Sequence, residues 1–138
     1  MRVVTANVNG IRAAVRRGGL AWLAAADADV ICLQEVRATQ AQVAEQLKDS
    51  VFATWHVAHA ESADKGRNGV AVLTPNEPQA VRIGVGDESF ATSGRWVEVD
   101  IDSGCGPLTI ASVYIHSGEV GTARQDDKYR FLQAVDRR

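Results

Sequence analysis

The chain has 138 residues, of which 46% are hydrophobic and 23% are charged, and its formal net charge is −2. This composition is typical of a globular protein and excludes disordered, collagen-like and membrane-spanning classes, while the length excludes a multidomain enzyme. Because the net charge is slightly negative, no overall positive field points to a polyanionic partner.

The first half of the chain alternates strand and helix patterns. Residues 2–6 predict a short strand, and residues 11–26 predict two short helices, because Gly18 and Gly19 interrupt the apolar periodicity. The apolar run 29–34 predicts a second strand. Residues 39–47 are rich in good helix formers, and Thr39 is a suitable N-cap.

The second half is dominated by β patterns. Five short runs rich in Val and Ile predict strands at residues 54–58, 69–74, 81–85, 95–101 and 108–115. Turn-forming Gly, Pro, Asn and Asp residues separate them. From Arg124 to the end, apolar residues at helical spacing predict a final amphipathic helix.

Polar side chains follow the first two predicted strands. Asn7 and Asn9 leave the first strand, and Glu35 leaves the second after one helical crossover. In a parallel βαβ unit these strand ends lie side by side, so their oxygens could hold Mg²⁺, with Mn²⁺ as the alternative ion. The alternative is that Asn7 caps a turn and Glu35 is a solvated strand end.

Two other loops carry groups that could contact phosphate. The last predicted strand runs into a glycine-containing loop that carries Tyr114, His116 and Ser117. Each of these side chains could donate a hydrogen bond to a phosphate oxygen. The alternative is that Tyr114 is half-buried packing and the other two are ordinary loop residues. Residues 65–69 place two cations in a turn, which is either solvated or beside an anionic substrate. Four arginines precede the first acidic residue: Arg2, Arg12, Arg16 and Arg17. They form either a solvated helix face or a contact with phosphate.

The two cysteines form neither a disulfide framework nor a zinc-spaced cluster. We therefore expect Cys32 and Cys105 to be free thiols in a reducing compartment. The N-terminus lacks the apolar region of a signal peptide, and no apolar stretch approaches about 18 residues. These features predict a cytoplasmic protein without a membrane partner.

Taken together, the motifs resemble the exonuclease III (apurinic/apyrimidinic endonuclease) family of the endonuclease/exonuclease/phosphatase superfamily. The blocks are Thr5-Ala-Asn-Val-Asn-Gly-Ile-Arg12, Asp29-Val-Ile-Cys-Leu-Gln-Glu-Val36, Lys65-Gly-Arg-Asn-Gly-Val-Ala71, Ser112-Val-Tyr-Ile-His-Ser-Gly-Glu119 and Asp126-Asp-Lys-Tyr-Arg-Phe-Leu132. Their order and spacing agree with the family over nearly the whole chain.

The resemblance implies a fold and an activity. The family folds as a four-layer α/β sandwich of two facing β-sheets with outer helices, here with a mixed sheet. Its members use a metal ion to hydrolyse phosphodiesters of duplex DNA at abasic sites, often with 3′ exonuclease and 3′ phosphatase activity. The implied partner is therefore duplex DNA with abasic sites or 3′ ends.

The resemblance also implies roles for individual residues. Asn7 and Glu35 match metal-site residues, and Tyr114 matches the catalytic tyrosine that contacts the scissile phosphate. Residues in blocks that lie near DNA in relatives are expected to bind the substrate: these are Arg12, Lys65, Asn68 and His116. Two positions depart from the family, since Ala6 stands where relatives often have tryptophan and His116 where many have proline. The first departure predicts looser packing beneath Asn7, and the second an altered loop beside Tyr114.

Family members are about twice as long, and their second half supplies a Gly-Asp-x-Asn block and a terminal Ser-Asp-His block, which are absent here. Residues 1–138 are therefore expected to form the amino-terminal half of one such domain. We expect this half to be inactive alone and to self-associate through an exposed sheet face. Two alternatives stay open: a phosphatase of the same superfamily, and a non-catalytic, DNA-binding or partner-dependent half-domain.

Overall fold

A computed structural model describes all 138 residues. The chain forms seven strands, four α-helices and one short 3₁₀ turn. Their bounds are β1 (Val3–Asn7), α1 (Ile11–Arg16), α2 (Gly19–Ala25), β2 (Val30–Gln34), α3 (Gln40–Leu47), β3 (His56–Ala60), β4 (Val70–Thr74), β5 (Ala80–Ile83), the 3₁₀ turn (Glu88–Phe90), β6 (Trp96–Asp102), β7 (Pro107–Val113) and α4 (Ala123–Asp136).

The strands form two sheets. The first sheet has the order β1-β2-β4-β3, in which β1 and β2 are parallel and the other pairs are antiparallel, so this sheet is mixed. The second sheet is an antiparallel meander of β5, β6 and β7. The parallel β1–α1–α2–β2 unit confirms the predicted crossover and brings the carboxyl ends of two neighbouring strands to one edge.

Local sequence explains how the helices begin and end. Gly18 adopts a left-handed conformation with φ of +84° and separates α1 from α2, as its sequence position predicts. Thr39 and Gln42 form a reciprocal capping box that starts α3. The strand predicted at residues 54–58 begins later, at His56, because Phe52 and Trp55 instead pack edge to face in the preceding turn, with ring centroids 5.1 Å apart.

Three apolar clusters hold four layers together. Helices α1 to α3 cover the outer face of the first sheet through residues such as Val43 and Leu47, which pack with Ile31 and Leu33. Helix α4 covers the outer face of the second sheet through Phe131. A third cluster fills the space between the sheets: Val30, Cys32, Ala58, Ala60, Val70, Val72, Val97, Val99 and Ile110. None of the helices combines the length and apolar character needed to cross a membrane.

The two sheets cover most of each other's inner face, contrary to the expectation that the sheet would stand open. The reason is that all three strands of the second sheet are encoded in this chain and pack directly on the first. Edge strands remain exposed on both sides. Val3 on β1 is 47% exposed and Leu108 on β7 is 40% exposed, so an open margin runs along these two edge strands, and Val81 and Ile83 on the edge strand β5 are 48% and 57% exposed.

A second opening lies beneath β1. An apolar cleft of about 500 Å³ separates the strand from α1 and α2, and its lining includes Ala6, Leu20 and Trp22. Ala6 contributes only a methyl group to this lining, and the looser packing that its departure from the family pattern predicts stays a prediction.

Candidate active site

Asn7 and Glu35 meet where β1 and β2 end. The parallel register pairs Asn7 with Gln34, so Glu35 leaves its strand beside the Asn7 side chain. The Asn7 amide Nδ2 donates to Glu35 Oε1 over 2.8 Å, and the Asn7 Oδ1 accepts from the backbone N–H of Asn9 over 3.1 Å. The juxtaposition predicted from the sequence is therefore present in the structure.

Glu35 is further held by two neighbours that favour its charged form. Its other oxygen, Oε2, accepts from the Arg37 guanidinium in a salt bridge. The hydrogen bond from Asn7 lowers the pKa of the Glu35 carboxyl most, partial burial opposes this effect, and Arg37 and the Tyr114 hydroxyl lower the pKa further. The carboxylate is therefore ionised at neutral pH.

The backbone around Glu35 is shaped by its loop partners. Glu35 and Arg37 both have positive φ angles, of 52° and 51°. Backbone hydrogen bonds hold this conformation, because Gly10 N–H donates to the Glu35 carbonyl over 2.7 Å and Arg37 N–H donates to the Asn68 carbonyl over 2.9 Å. A left-handed non-glycine residue is strained, and such strain is often found at functional sites.

Glu35 opens into a polar cleft of about 570 Å³. The lining side chains come from the ends of β2 and β7, the loop before β4, the segment before β6, and α4. They are Glu35, Arg37, Asp64, Arg67, Asn68, Arg95, Tyr114, His116, Arg124 and Asp127. Of its four arginines, Arg37 and Arg95 pair with carboxylates, whereas Arg67 and Arg124 form no salt bridge. The cleft therefore offers two unneutralised cations to an anionic ligand.

Tyr114 stands beside Glu35 at the end of β7. Burial raises the pKa of the phenol, and the neighbouring Glu35 carboxylate raises it further. The hydroxyl therefore stays protonated and can donate a hydrogen bond into the cleft. This position agrees with the phosphate contact that the resemblance implies for Tyr114.

Glu35 and Asn7 fit a hard divalent cation. One ionised carboxylate and one carboxamide oxygen are oxygen ligands of the kind that Mg²⁺ takes, and this ion usually keeps several waters and substrate phosphate oxygens in addition. No group of three or more His, Cys, Asp or Glu side chains is arranged to hold a metal. The donors thus suit an ion that takes few protein ligands, and would not suit an all-protein zinc or calcium cage.

The structure separates the four residues predicted to bind substrate. Asn68 lines the cleft, but its amide Nδ2 donates to the Ser93 carbonyl over 3.0 Å and so holds two loops together. Lys65 is exposed on the same loop and does not line the cleft. Arg12 lines a separate depression with Arg16 and Arg37, and Arg37 also lines the cleft.

His116 lines the cleft but is almost enclosed by protein. The residue is only 5% exposed, and both ring nitrogens contact protein atoms, namely Asp127 and the Ser117 carbonyl, so its contact with substrate stays a prediction. The sequence suggested a ligand contact because His116 follows a strand end. The sequence could not show that α4 packs over this loop and that Asp127 of α4 contacts the His116 ring.

Several cleft residues were not singled out from the sequence. Arg37 had a signal, because Glu35 and Arg37 are two residues apart at a strand end and can face the same site. Arg95, Arg124 and Asp127 had no comparable signal, since β6 and α4 reach the cleft only through the packing of the second sheet.

The fold and this cleft together define an α/β sandwich with a polar cleft, lined by four arginines, at the strand ends. The chain belongs to the Endonuclease/Exonuclease/phosphatase family, whose model matches residues 4–138. This match confirms the family that the motifs indicated.

Two proteins similar to this chain are named as nucleases that act on DNA. The chain is 32% identical over 136 residues to the exodeoxyribonuclease of Bacillus subtilis, covering 98% of this chain and 50% of the relative. It is 31% identical over 137 residues to the DNA repair nuclease APEX1 of Danio rerio, covering 99% of this chain and 42% of the relative. The chain thus spans about half the length of the curated relatives it matches.

A solved structure supports the same fold. The 3′ phosphatase NExo from Neisseria, bound to product DNA hairpin, superposes with a TM-score of 0.80 at 24% identity, covering 99% of this chain and 50% of that one. The predicted fold class is therefore confirmed: this chain is half of a full-length nuclease fold of the family.

Proposed function

We propose that this chain forms the metal- and phosphate-binding half of an exonuclease III-like DNA repair nuclease. The proposed reaction is hydrolysis of phosphodiesters in duplex DNA at abasic sites and at 3′ ends. The observation that carries the proposal is the hydrogen bond from Asn7 to Glu35, because the Glu35 side chain lines a polar cleft with two arginines that form no salt bridge. Kinship with the DNA nucleases above supports DNA as the substrate.

Different residues would bind the metal ion and the phosphate oxygens. Asn7 and Glu35 would hold a Mg²⁺ ion, which when bound supplies a Lewis acid for the developing charge on the phosphate. The protonated Tyr114 hydroxyl donates to a non-bridging phosphoryl oxygen. Arg67 and Arg124 attract the flanking phosphates, and positioned donors of this kind stabilise charge that grows in the transition state.

The cleft carboxylates give no candidate for activating the attacking water. Asp127 accepts hydrogen bonds from cations, and although burial opposes the effect, His116 and Arg95 lower the pKa of its carboxyl. Glu35 is committed to Asn7 and Arg37, and Asp64 lies exposed in a loop. Because groups that act as a unit lose most of the rate when one is missing, we propose that the 138-residue polypeptide alone cleaves DNA very slowly or not at all.

Binding and cleavage can be measured separately. Fluorescence anisotropy with a duplex carrying one tetrahydrofuran abasic analogue should show tighter binding with Mg²⁺ than with EDTA. Glu35→Gln should remove the Mg²⁺ effect, whereas Glu45→Gln on the exposed side of α3 should not. Wild-type affinity that is the same with Mg²⁺ and with EDTA would contradict the proposed site.

Cleavage assays on the same samples test the rest of the proposal. We expect little product from an abasic duplex with the 138-residue chain, and recovery of activity when a carboxy-terminal half is added. Robust cleavage by this chain alone would contradict the proposed division of roles. A chain that hydrolysed a small phosphomonoester but bound no duplex would support the phosphatase alternative.

The open margin supports a further proposal, that isolated chains self-associate. β1 and β7 are edge strands with free backbone groups, and they carry the exposed Val3 and Leu108 side chains. Such edges promote pairing with another chain. Multi-angle light scattering should show dimers or larger species, and a monodisperse monomer at high concentration would count against this proposal.

The cysteines are compatible with the proposed cytoplasmic location. Cys32 is buried between the sheets and Cys105 is exposed, and both are free thiols. Burial raises the pKa of the Cys32 thiol to about 11, which makes it unreactive. The test is the free-thiol count of protein purified from cells.

A further inference from the structure

His116 is a buried residue in the loop after β7, and its two ring nitrogens face hydrogen-bond acceptors. Nδ1 is 2.9 Å from the Ser117 carbonyl oxygen, and Nε2 is 2.9 Å from Asp127 Oδ2. Both ring nitrogens therefore have a protein partner within hydrogen-bond distance, so the ring is held at two points.

Asp127 connects His116 to two other parts of the fold. It accepts from Arg95 over 3.0 Å and from Arg130, one turn further along α4, over 3.1 Å. Arg95 precedes β6, and its guanidinium lies over the Phe131 ring at 5.6 Å. The carboxylate thus links the start of β6, the loop after β7 and helix α4 at one point.

The same loop carries Tyr114 into the cleft. The Tyr114 backbone N–H donates to the Arg95 carbonyl over 2.9 Å, so Tyr114 is attached to the residue that holds Asp127. Ser117 Oγ accepts from Arg124 of α4 over 3.0 Å. The loop is therefore fastened to α4 twice, through His116–Asp127 and through Ser117–Arg124.

We propose that His116 and Asp127 form a positioning pair that fixes the Tyr114 hydroxyl and the Arg124 guanidinium relative to each other in the phosphate-binding cleft. This inference rests on the proposed function. Both residues line the cleft, but both ring nitrogens of His116 and both carboxylate oxygens of Asp127 already bind protein groups. The pair acts by holding the loop after β7 against α4, so that the donor from the strand end and the cation from the helix keep a fixed separation.

The first test needs no ligand. The amide of Tyr114, which donates to the Arg95 carbonyl, should exchange slowly in the full 138-residue chain and at least tenfold faster in His116→Ala and Asp127→Ala. Asp127→Asn keeps the shape of the side chain and guards against a global effect, and it should also speed exchange of this amide. Exchange in the β4 core should not change. If the Tyr114 amide exchanged in His116→Ala as it does in the wild type, the proposal would be wrong.

The second test asks whether the pair acts through Tyr114. Affinity for the tetrahydrofuran duplex should fall about tenfold in His116→Ala, since hydrogen bonds to charged groups contribute this much. The double variant with Asp127→Ala should bind no worse than the single variants. In a Tyr114→Phe background His116→Ala should have a smaller effect, because only the contribution through Arg124 then remains. Effects that multiply in both combinations would contradict a shared positioning role.

The two tests also separate this inference from the proposed function. A wild-type chain that binds no duplex contradicts the proposed function, while the exchange result still decides whether the pair fixes the loop. A chain that binds duplex normally after His116→Ala contradicts the inference alone. Exposed His56 provides a matched control, since His56→Ala should change neither readout.

Discussion

The amide Nδ2 of Asn7 donates to Glu35 Oε1 over 2.8 Å across the ends of two parallel strands. This bond favours the ionised form of Glu35, which lines the polar cleft and is the form that a cation needs. The register of β1 and β2 places the two residues side by side, and it therefore allows the hydrogen bond that favours the charged form of Glu35.

Removal of the Asn7 amide should therefore be detectable in Glu35. In Asn7→Ala the pKa of the Glu35 carboxyl should rise toward its ordinary value of 4.5, because Asn7 is the main group that lowers it. The measurement is a pH titration of the Glu35 carboxyl by carbon-13 NMR. The other glutamates in the same spectra are internal controls, and an unmoved Glu35 titration would show that Asn7 does not set its charge.

The two unpaired arginines should determine how salt affects DNA binding. Each phosphate contact contributes about 0.9 to the slope of log affinity against log salt. Arg67→Gln and Arg124→Gln should each weaken binding of an abasic duplex and lower this slope by about 1. Arg2→Gln is the matched control, because Arg2 precedes β1 at the end of the strand opposite Asn7. Equal slopes in all four proteins would exclude contact by these arginines.

A larger side chain at position 6 should stabilise the fold. The cleft beneath β1 has room for it, and filling a cavity commonly adds about 1 kcal/mol to the free energy of unfolding. We expect Ala6→Trp to raise the urea midpoint, whereas Ala24→Trp on the exposed face of α2 should not. A lower midpoint for Ala6→Trp would mean that the cleft cannot accept the ring.

The Arg82–Asp100 pair should make the second sheet sensitive to acid. Hydrogen bonds from Arg82 and then Thr109 lower the pKa of Asp100 from 3.8 to about 2. A lowered native pKa gives stability that is present above pH 3.8 and lost as the pH falls toward about 2. Asp100→Asn should thus destabilise the protein at pH 7, and the difference from wild type should shrink between these pH values. Thermal unfolding across this range is the measurement, and Glu77→Gln, in an exposed turn, should match wild type throughout.

Phe131 should anchor α4 and the cleft residues that the helix carries. Its ring is fully buried and packs edge to face on Phe90, with centroids 5.2 Å apart. Phe131→Ala should lower the free energy of unfolding by about 3 kcal/mol, as expected for a buried aromatic residue. Tyr129→Ala on the same helix removes a ring that is 55% exposed and should cost far less. Similar losses in the two variants would show that α4 is not anchored through Phe131.

Local patterns in the sequence were sufficient for most of the elements. The apolar run at β2, the break at Gly18 and the Thr39 cap depend on neighbours within a few residues, so they could be read directly. The Asn7–Glu35 pair was also predictable, because a parallel crossover places consecutive strand ends at one edge. Motif spacing identified the family for the same reason, since the strand-end residues keep their separation along the chain.

The sequence by itself therefore determined the elements, the family and the strand-end part of the site. Only the tertiary structure decided that both sheets of the sandwich pack within this chain, that His116 is enclosed by Asp127, and that Arg95 and Arg124 reach the cleft. The physical reason is the distance along the chain over which each kind of interaction acts. Periodicity and capping act within one or two turns of chain, whereas His116 and Arg95 take their roles from how β6, β7 and α4 pack together, which no local pattern encodes.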